Sequence, residues 1–353
     1  MLYDANTKNM RRNSTGPTLK EVALAAGVSI PAASKVLHGR GSSIRVSEVK
    51  AAEIREAAKR LKYTPNALAR SLRSSRSNTI GLVFEHFGHI AAGPQYYVQL
   101  LDGIASELFK FHYRLTILPE VPHHQVASVL NNGTLDGIIW CKLPADPQLL
   151  KELEDCPLPI IALNTPPASE TDLCFFSCDN EGGMKLAVDH LAALGHRRIL
   201  FAMELGETET PDAQARLSGM RQAMEMRQLE FGDEDIVCWS FSADEFPAWF
   251  ASKPPHTAVI AWNEGIAGSI ISAARSSGIT IPKQLSVIGF DSTPYCDSMM
   301  PRLTAVRQPI SEMAHAATRH LLNILSEAES VGNSVKFTCS LDVRDSTSPP
   351  FSA

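Results

Sequence analysis

The apolar residues of this chain change their spacing near position 79. Ahead of it they recur at helical intervals. In 18–38 (TLKEVALAAGVSIPAASKVLH) Leu19, Val22, Ala23, Ala26, Val28, Ala33, Val36 and Leu37 fit two short helices broken at Gly27. Thr18 and Glu21 have the T-x-x-E spacing of a capping box, in which hydroxyl and carboxylate satisfy orphan N–H groups reciprocally. Pro17 stands just ahead of that start. Gly27 tolerates the left-handed backbone of a tight turn. Ser29 is placed to cap the second helix, and Pro31 falls in its first turn, where a missing N–H costs nothing. In 46–63, Val49, Ala52, Ile54, Ala57, Ala58 and Leu61 at helical spacing, behind Ser47 as a cap, predict a third helix over the first two. Tyr63-Thr64-Pro65-Asn66 breaks it. Residues 67–75 (ALARSLRSS) read as one more helix, too short to be stable without a partner. The polar residues 1–16 are expected to be disordered.

From Thr79 short apolar runs alternate with amphipathic helical patterns. The runs are 80–84, 115–118, 137–140, 160–163, 198–203, 258–261 and 286–290; the helical patterns are 95–109, 183–194, 213–226, 265–276 and 309–325. Alternating β and α predicts parallel, doubly wound sheets. The stretch is longer than one such sheet needs, so two lobes are expected. Open α/β sheets bind ligands beyond the carboxyl ends of their strands. The polar residues there are Glu85-His86, Asn164, Asn263-Glu264 and Asp291-Ser292.

Charge sharpens the division. Residues 1–76 hold 15 Lys+Arg against 5 Asp+Glu, a net of +10, whereas the chain of 353 residues carries −5 overall. A basic head on an acidic body suggests a small polyanion-binding module, and two short helices across a Gly turn suit a helix-turn-helix whose second helix enters the DNA major groove. No run approaches a membrane span, and the N-terminus (MLYDANTKNMRR) lacks the apolar core of a signal peptide, so a cytoplasmic protein is expected. The seven cysteines are scattered and never form C-x-x-C, as reduced core thiols would be. The eleven histidines lack metal-ligand spacing. No phosphate loop, G-x-S-x-G, H-E-x-x-H or helix-opening G-x-G-x-x-G is present. The expectation is no catalysis, no cofactor and no metal.

Five segments in order (TLKEVALAAGVS; YTPNALARSLRS followed by TIGLV; DNEGGMKLAVDHLAALGHRRI; SVIGFD; LTAVRQP) resemble the bacterial lactose-repressor/galactose-repressor family of transcription factors, from Thr18 to about Thr347. The resemblance implies a small all-α helix-turn-helix domain (17–63), a hinge helix or linker (64–78) and an α/β two-lobed core (79–347) like that of periplasmic sugar-binding proteins. Its first lobe would comprise about 79–178 and 306–327, its second about 179–303 and 334–347. It further implies a sequence-specific regulator, most often a repressor, acting on a palindromic double-stranded DNA operator as a homodimer or larger assembly. A small molecule between the lobes, a sugar or sugar derivative, would change its operator affinity. Larger family assemblies use an added C-terminal heptad helix; the ending SPPFSA favours a homodimer. A free sugar receptor would leave the basic head idle.

Residue by residue, the resemblance implies DNA contacts for Ser29, Ile30, Pro31 and Lys35, with Thr18 at the start of the first helix. Lys35 stands where the family has Arg and reaches guanine without the rigid guanidinium fork. Ile30 offers only apolar contact, or is core. In the hinge, Leu72 matches the leucine wedged into the minor groove, flanked by Asn66, Arg70 and Arg73. In the core, Arg216 matches the arginine that grips ligand polar groups, Asn263 and Asp291 the side chains that bond hydroxyls, and Asn164 a position often Asp. Phe241 is the candidate stacking aromatic, and Tyr96 and Tyr97 a pair across the cleft. Plain alternatives exist: a capping role for Asp291, core packing for Tyr97, and for Arg216 an ion pair holding its helix to the sheet. Arg216 is expected to line the cleft and not the core. The chain departs from the family in longer loops at 39–45 and 85–94, in Ala32-Ala33 for Thr-Val, and in Ser292 where a second Asp is common.

Overall fold

The computed structural model describes residues 16–38, 44–64, 76–84, 95–118, 129–130, 132–144, 146–167, 171–206, 208–239, 245–252, 254–328, 330, 332 and 334–351. Two compact units result, Met1–Ser77 and Asn78–Ala353.

Among the described residues the first unit has three helices: α1 (Leu19–Ala25), α2 (Ile30–His38) and α3 (Glu48–Arg60). The capping box forms: the Glu21 N–H donates to Thr18 Oγ1 at 3.3 Å, and the Thr18 N–H donates to Glu21 Oε2 at 2.6 Å. The Thr18 N–H bond first, and then the Thr18 hydroxyl donating to the same Oε2 at 3.0 Å, hold the Glu21 carboxyl below its ordinary value. Gly27 takes φ +61° in the turn. The Ala32 N–H donates to Ser29 Oγ and the Lys50 N–H to Ser47 Oγ, each at 3.4 Å, capping α2 and α3. Leu19, Val22, Ala23, Ala26, Ala33, Ile54, Ala57 and Ala58 form the core. Val49 is 70% exposed, against its helical spacing. The buried face of α3 runs through Ala51, Ile54, Ala57 and Ala58, and Val49 lies off it. So small a core depends on its caps. Thr18→Ala is expected to destabilise this unit by about 1 kcal/mol, read as an earlier thermal melt by circular dichroism.

The second unit holds two six-stranded sheets. The first contains β1 (Thr79–Phe84), β2 (Arg114–Leu118), β3 (Gly137–Cys141), β4 (Ile160–Leu163), β5 (Cys174–Cys178) and β11 (Val335–Phe337), in the order β11-β5-β4-β3-β1-β2. The second contains β6 (Ile199–Glu204), β7 (Ile236–Trp239), β8 (Ala258–Ala261), β9 (Ser286–Asp291), β10 (Thr304–Arg307) and β12 (Ser340–Asp342), in the order β12-β10-β9-β8-β6-β7. All pairings are parallel except β12 on β10. The central strands β1, β3, β4, β8 and β9 are buried along their length, as strands covered on both faces must be.

Helices α4 (Gln95–Lys110), α5 (Pro147–Glu154) and α11 (Ile310–Leu325) flank the first sheet; α6 (Asn180–Leu194), α7 (Pro211–Met226), α8 (Glu245–Ala251), α9 (Glu264–Ser276) and the short α10 (Tyr295–Ser298) belong with the second. Two glycines permit close helix pairs. A Cβ on Gly103 of α4 would lie 2.7 Å from Ala314 Cβ of α11, and one on Gly219 of α7 would lie 2.6 Å from Glu181 Cα of α6.

The chain crosses between lobes three times: β5 into α6, β10 into α11, and β11 into β12. Here the expected lobe boundaries need correction. Val335–Phe337 pairs with β5 and belongs to the first lobe, and Val306 and Arg307 pair with β9 and belong to the second. Register across a crossing is set by strand partners distant in sequence. Among the described residues no helix is long and apolar enough to cross a membrane, and no cluster of metal-ligating side chains occurs. The seven cysteines form no disulfide; five are buried, while Cys238 is exposed and Cys156 half-buried.

Candidate functional site

In the first unit, α2 presents Ser29, Ile30 and Pro31 to solvent, with Ile30 43% exposed. An apolar side chain so exposed at a helix start is not core, which removes the packing alternative for Ile30. Lys35, half-buried on the same helix, donates from Nζ to the Ile44 carbonyl at 2.6 Å. Thr18 is exposed at the start of α1. Asn66, Arg70, Leu72 and Arg73 lie outside the described residues, as do Glu85, His86 and Phe241.

In the second unit the carboxyl ends of β1, β3, β4, β8 and β9 and the start of α7 supply one group of side chains. Lys142, Asn164, Asp291 and Ser292 have φ of +55°, +55°, +95° and +51°. Non-glycine residues held in this region are backbone strain that neighbours must compensate, and it concentrates at binding sites. Here it marks the ends of three strands.

Arg216 sits at the centre. It is 2% exposed. Its Nε donates to Asn180 Oδ1 at 2.9 Å, Nη1 donates to the Trp262 carbonyl, and Nη2 lies 3.7 Å from Asp291 Oδ1. The guanidinium carbon stands 3.8 Å from the Phe290 ring centroid and 5.1 Å from that of Trp262. This corrects the expectation of a residue lining an open cleft. Nη1 and Nη2 tie α7 to the ends of β8 and β9, and Nε ties it to Asn180 at the start of α6, which is the arrangement of the ion-pair alternative.

Asp291 is also buried; it accepts from Gln308 Nε2 and caps no described helix, since Pro294 precedes α10. Burial pushes its carboxyl above the ordinary value, against the pull of Arg216 and Gln308. Asn263 caps α9: its Oδ1 accepts from the Ile266 N–H at 2.8 Å, leaving its amide nitrogen as the donor it can offer the cleft. Asn164 is buried, its backbone N–H donating to the Phe176 carbonyl at 2.7 Å. Tyr96 meets Tyr97 edge-on at 5.2 Å, and Tyr97 meets Phe84 edge-on at 5.6 Å, so Tyr97 is partly core. The Tyr96 hydroxyl is pushed well above its usual value by burial, then by Cys141, Tyr97, Asp291 and Asp212.

Five further residues, Lys142, Asn180, Asp212, Trp262 and Gln308, share this site without having been expected there. Asn180 and Gln308 orient Arg216 and Asp291. Asp212, one helical turn before Arg216, is buried; burial raises its carboxyl and the Lys142 and Arg216 charges pull it below the ordinary value. Lys142 Nζ lies 3.9 Å from Asp212 and 5.1 Å from the Trp262 centroid. The i, i+4 spacing of Asp212 and Arg216 was the one available sequence signal. Glu264 instead serves the scaffold, accepting from the Thr293 N–H, Thr293 Oγ1 and Cys296 Sγ. Three buried polar atoms here, Tyr96 Oη, Trp262 Nε1 and Gln308 Oε1, find no hydrogen-bond partner among the described residues. Such atoms are rare in folded proteins and call for a partner. The thiols of Cys141 and Cys178 are driven up, Cys141 chiefly by burial and Cys178 by its bond to Cys339 and by burial. The arrangement is one of fixed donors, acceptors and aromatic faces.

Comparison with known proteins agrees with both units. The model for bacterial regulatory proteins of the lacI family matches residues 18–66, and that for a periplasmic binding protein-like domain matches 188–347. The HTH-type transcriptional regulator DegA of Bacillus subtilis (strain 168) is 31% identical over 314 residues, covering 86% of this chain and 89% of its own length. The uncharacterized HTH-type transcriptional regulator YvdE of the same organism is 30% identical over 340 residues, covering 94% and 99%. Among solved structures, the lac repressor dimer bound to operator and the anti-inducer ONPF superposes with a TM-score of 0.80 at 22% identity, covering 94% of this chain and 99% of that one. A complex of the regulator CelR with cellobiose gives 0.68 at 24%, with the same coverage. With a helix-turn-helix head, a two-lobed core and relatives of this identity over nearly their whole length, the chain belongs to the lacI family of bacterial regulatory proteins and is a DNA-binding regulator of transcription.

Proposed function

We propose that the chain is a repressor whose operator affinity is set by a small polyhydroxylated molecule, a sugar or sugar derivative, held between the two lobes of 79–347. The observation that carries this reading is the set of unpartnered buried atoms, Tyr96 Oη, Trp262 Nε1 and Gln308 Oε1, gathered around Arg216 and Asp291. Two donors and an acceptor beside aromatic faces suit a ring that carries several hydroxyls. Asn164 and the amide nitrogen of Asn263 add to the set, and Phe241 is its candidate stacking partner. The cellobiose bound by CelR is consistent with this chemistry. The groups are arranged to hold a molecule, not to transform one.

On the DNA side, Ser29, Ile30, Pro31 and Lys35 would face the major groove in 17–63, with Thr18 ordering the start of α1. Residues 64–78 would form the hinge, in which Leu72 wedges the minor groove beside Asn66, Arg70 and Arg73. A homodimer would set two such heads on an imperfect palindrome, as the lac repressor dimer is seen on its operator. Its place of work is the cytoplasm.

A thermal-shift screen of mono- and disaccharides, sugar phosphates and purines against the purified protein tests the effector class. At a hundredfold excess over Kd a true effector stabilises by about 2.7 kcal/mol, and the same compound should shift operator affinity in a gel assay. A purine that stabilises the protein while every carbohydrate fails would replace the proposed class.

A further inference from the structure

Lys142 lies at the end of β3 in the first lobe and reaches a carboxylate of the second. Nζ is 3.9 Å from Asp212 Oδ2 on α7 and 5.1 Å from the ring of Trp262 at the end of β8. The backbone under it is pinned on both sides: the Lys142 N–H donates to the Leu163 carbonyl at 3.0 Å, and the Leu143 N–H donates to Thr165 Oγ1 at 2.8 Å. With φ at +55° and those bonds in place, the side chain is aimed across the cleft. The two side chains are 15% and 4% exposed. Solvent reaches the lysine end of the bridge more readily than the aspartate end.

We infer that Lys142 is a positioning residue for lobe closure, its ammonium bridging to Asp212 and Trp262 so that the cleft closes over the effector. This rests on the effector site proposed above. Closed, the second lobe presents two buried carboxylates, Asp212 and Asp291, and one cation, Arg216, which also stacks on Trp262. Lys142 supplies the second positive charge. Without it, closure would bury an excess negative charge, whereas an open cleft would let water solvate Asp212. The bridge therefore favours the closed arrangement selectively. A distance of 3.9 Å and a partly wet ammonium make it a contact that can break and reform. Its Trp262 half adds a cation–π attraction that also exists only on closure.

Hydrogen–deuterium exchange of the full-length protein, without added ligand, tests the bridge in wild type, Lys142→Met, Asp212→Asn, the double variant and Lys142→Arg. Lys142→Met is expected to speed exchange roughly three- to tenfold at 141–146 and equally at 208–214 and 261–267 across the cleft. Asp212→Asn should do the same in reverse, reaching 141–146. The double variant should be no faster than the faster single one, and Lys142→Arg should stay near wild type. Effects confined to the lobe that carries the substitution, or additive effects in the double variant, would overturn the bridge, because a residue serving only its own lobe predicts both. Titration of the same proteins with cellobiose and D-ribose separates this from the effector class: failure of carbohydrates to bind wild type counts against the class, and the exchange pattern decides the bridge.

Discussion

A chain that begins at Thr79 will lose specific operator binding while keeping its fold and any effector binding. The second compact unit starts at Asn78, and its two sheets take nothing from the residues before it. Those residues hold the helix-turn-helix and the local net charge of +10. Specific operator complexes are typically about 10³- to 10⁷-fold tighter than non-specific ones, and the truncated chain, acidic in net charge, should lack even the non-specific term. In the intact protein the salt dependence should be steep. If six to ten phosphates are contacted, affinity falls roughly 10³- to 10⁵-fold between 50 and 200 mM salt. Gel shifts and fluorescence anisotropy at several salt concentrations read both effects. Specific binding retained by the truncated chain would mean that the basic head is not the reader.

Arg216→Ala should cost the second unit about 3–5 kcal/mol, the usual cost of removing one partner from a buried ion pair. At about 2–4 °C per kcal/mol, the melting temperature should drop by roughly 6–20 °C. The reason lies in what remains: Asn180 Oδ1, the Trp262 carbonyl and Asp291 would each lose a donor or charge inside the protein. The sign of the pH dependence follows. Burial already holds the Asp291 carboxyl above its unfolded value, and Arg216 is the largest influence pulling it back. Without Arg216 that carboxyl should rise further. A carboxylate whose folded value is raised destabilises the fold at pH above that value and ceases to once protonated. The deficit of Arg216→Ala against wild type should therefore be largest near neutrality and shrink as pH falls toward the ordinary aspartate range. Urea titrations across that range measure it. A deficit that stays constant with pH would mean that Asp291 is not the group left uncompensated. Effector affinity, measured below the lowered melting temperature, should fall as well, because Asp291 and the Trp262 carbonyl lose the group that holds them in place.

How much of this could be read from residues alone depended on how local the cause was. The strands β1, β8 and β9 show themselves as unbroken apolar runs because both their faces are covered. The edge strands β11 (VKF) and β12 (SLD) carry no such pattern, being three residues long and partly exposed, and went unseen. So did β5 (CFFSC) and β7 (IVCW). The caps at Thr18, Ser29 and Ser47 were legible because each acts on a backbone N–H three residues away. Arg216 was legible as a motif residue, but its burial was not, since Asn180, Trp262 and Asp291 come from three other elements. Lys142 was invisible for the same reason: its partner Asp212 is in the other lobe and only the fold brings them together.

The three crossings between lobes also govern how the protein can be made. The first unit is complete once its third helix has left the ribosome. Neither lobe of the second can follow by halves. The first lobe waits for α11 and for β11 at Val335–Phe337, and the second waits for β10 and then β12 at Ser340–Asp342. Strands synthesised early, such as β5, must stay unpaired on one side until almost the whole chain exists. Long-range pairing of this kind is slow and leaves apolar edges open meanwhile. During synthesis, then, a DNA-reading head can fold ahead of an unfinished core, and both lobes are completed together by the strands at 335–342.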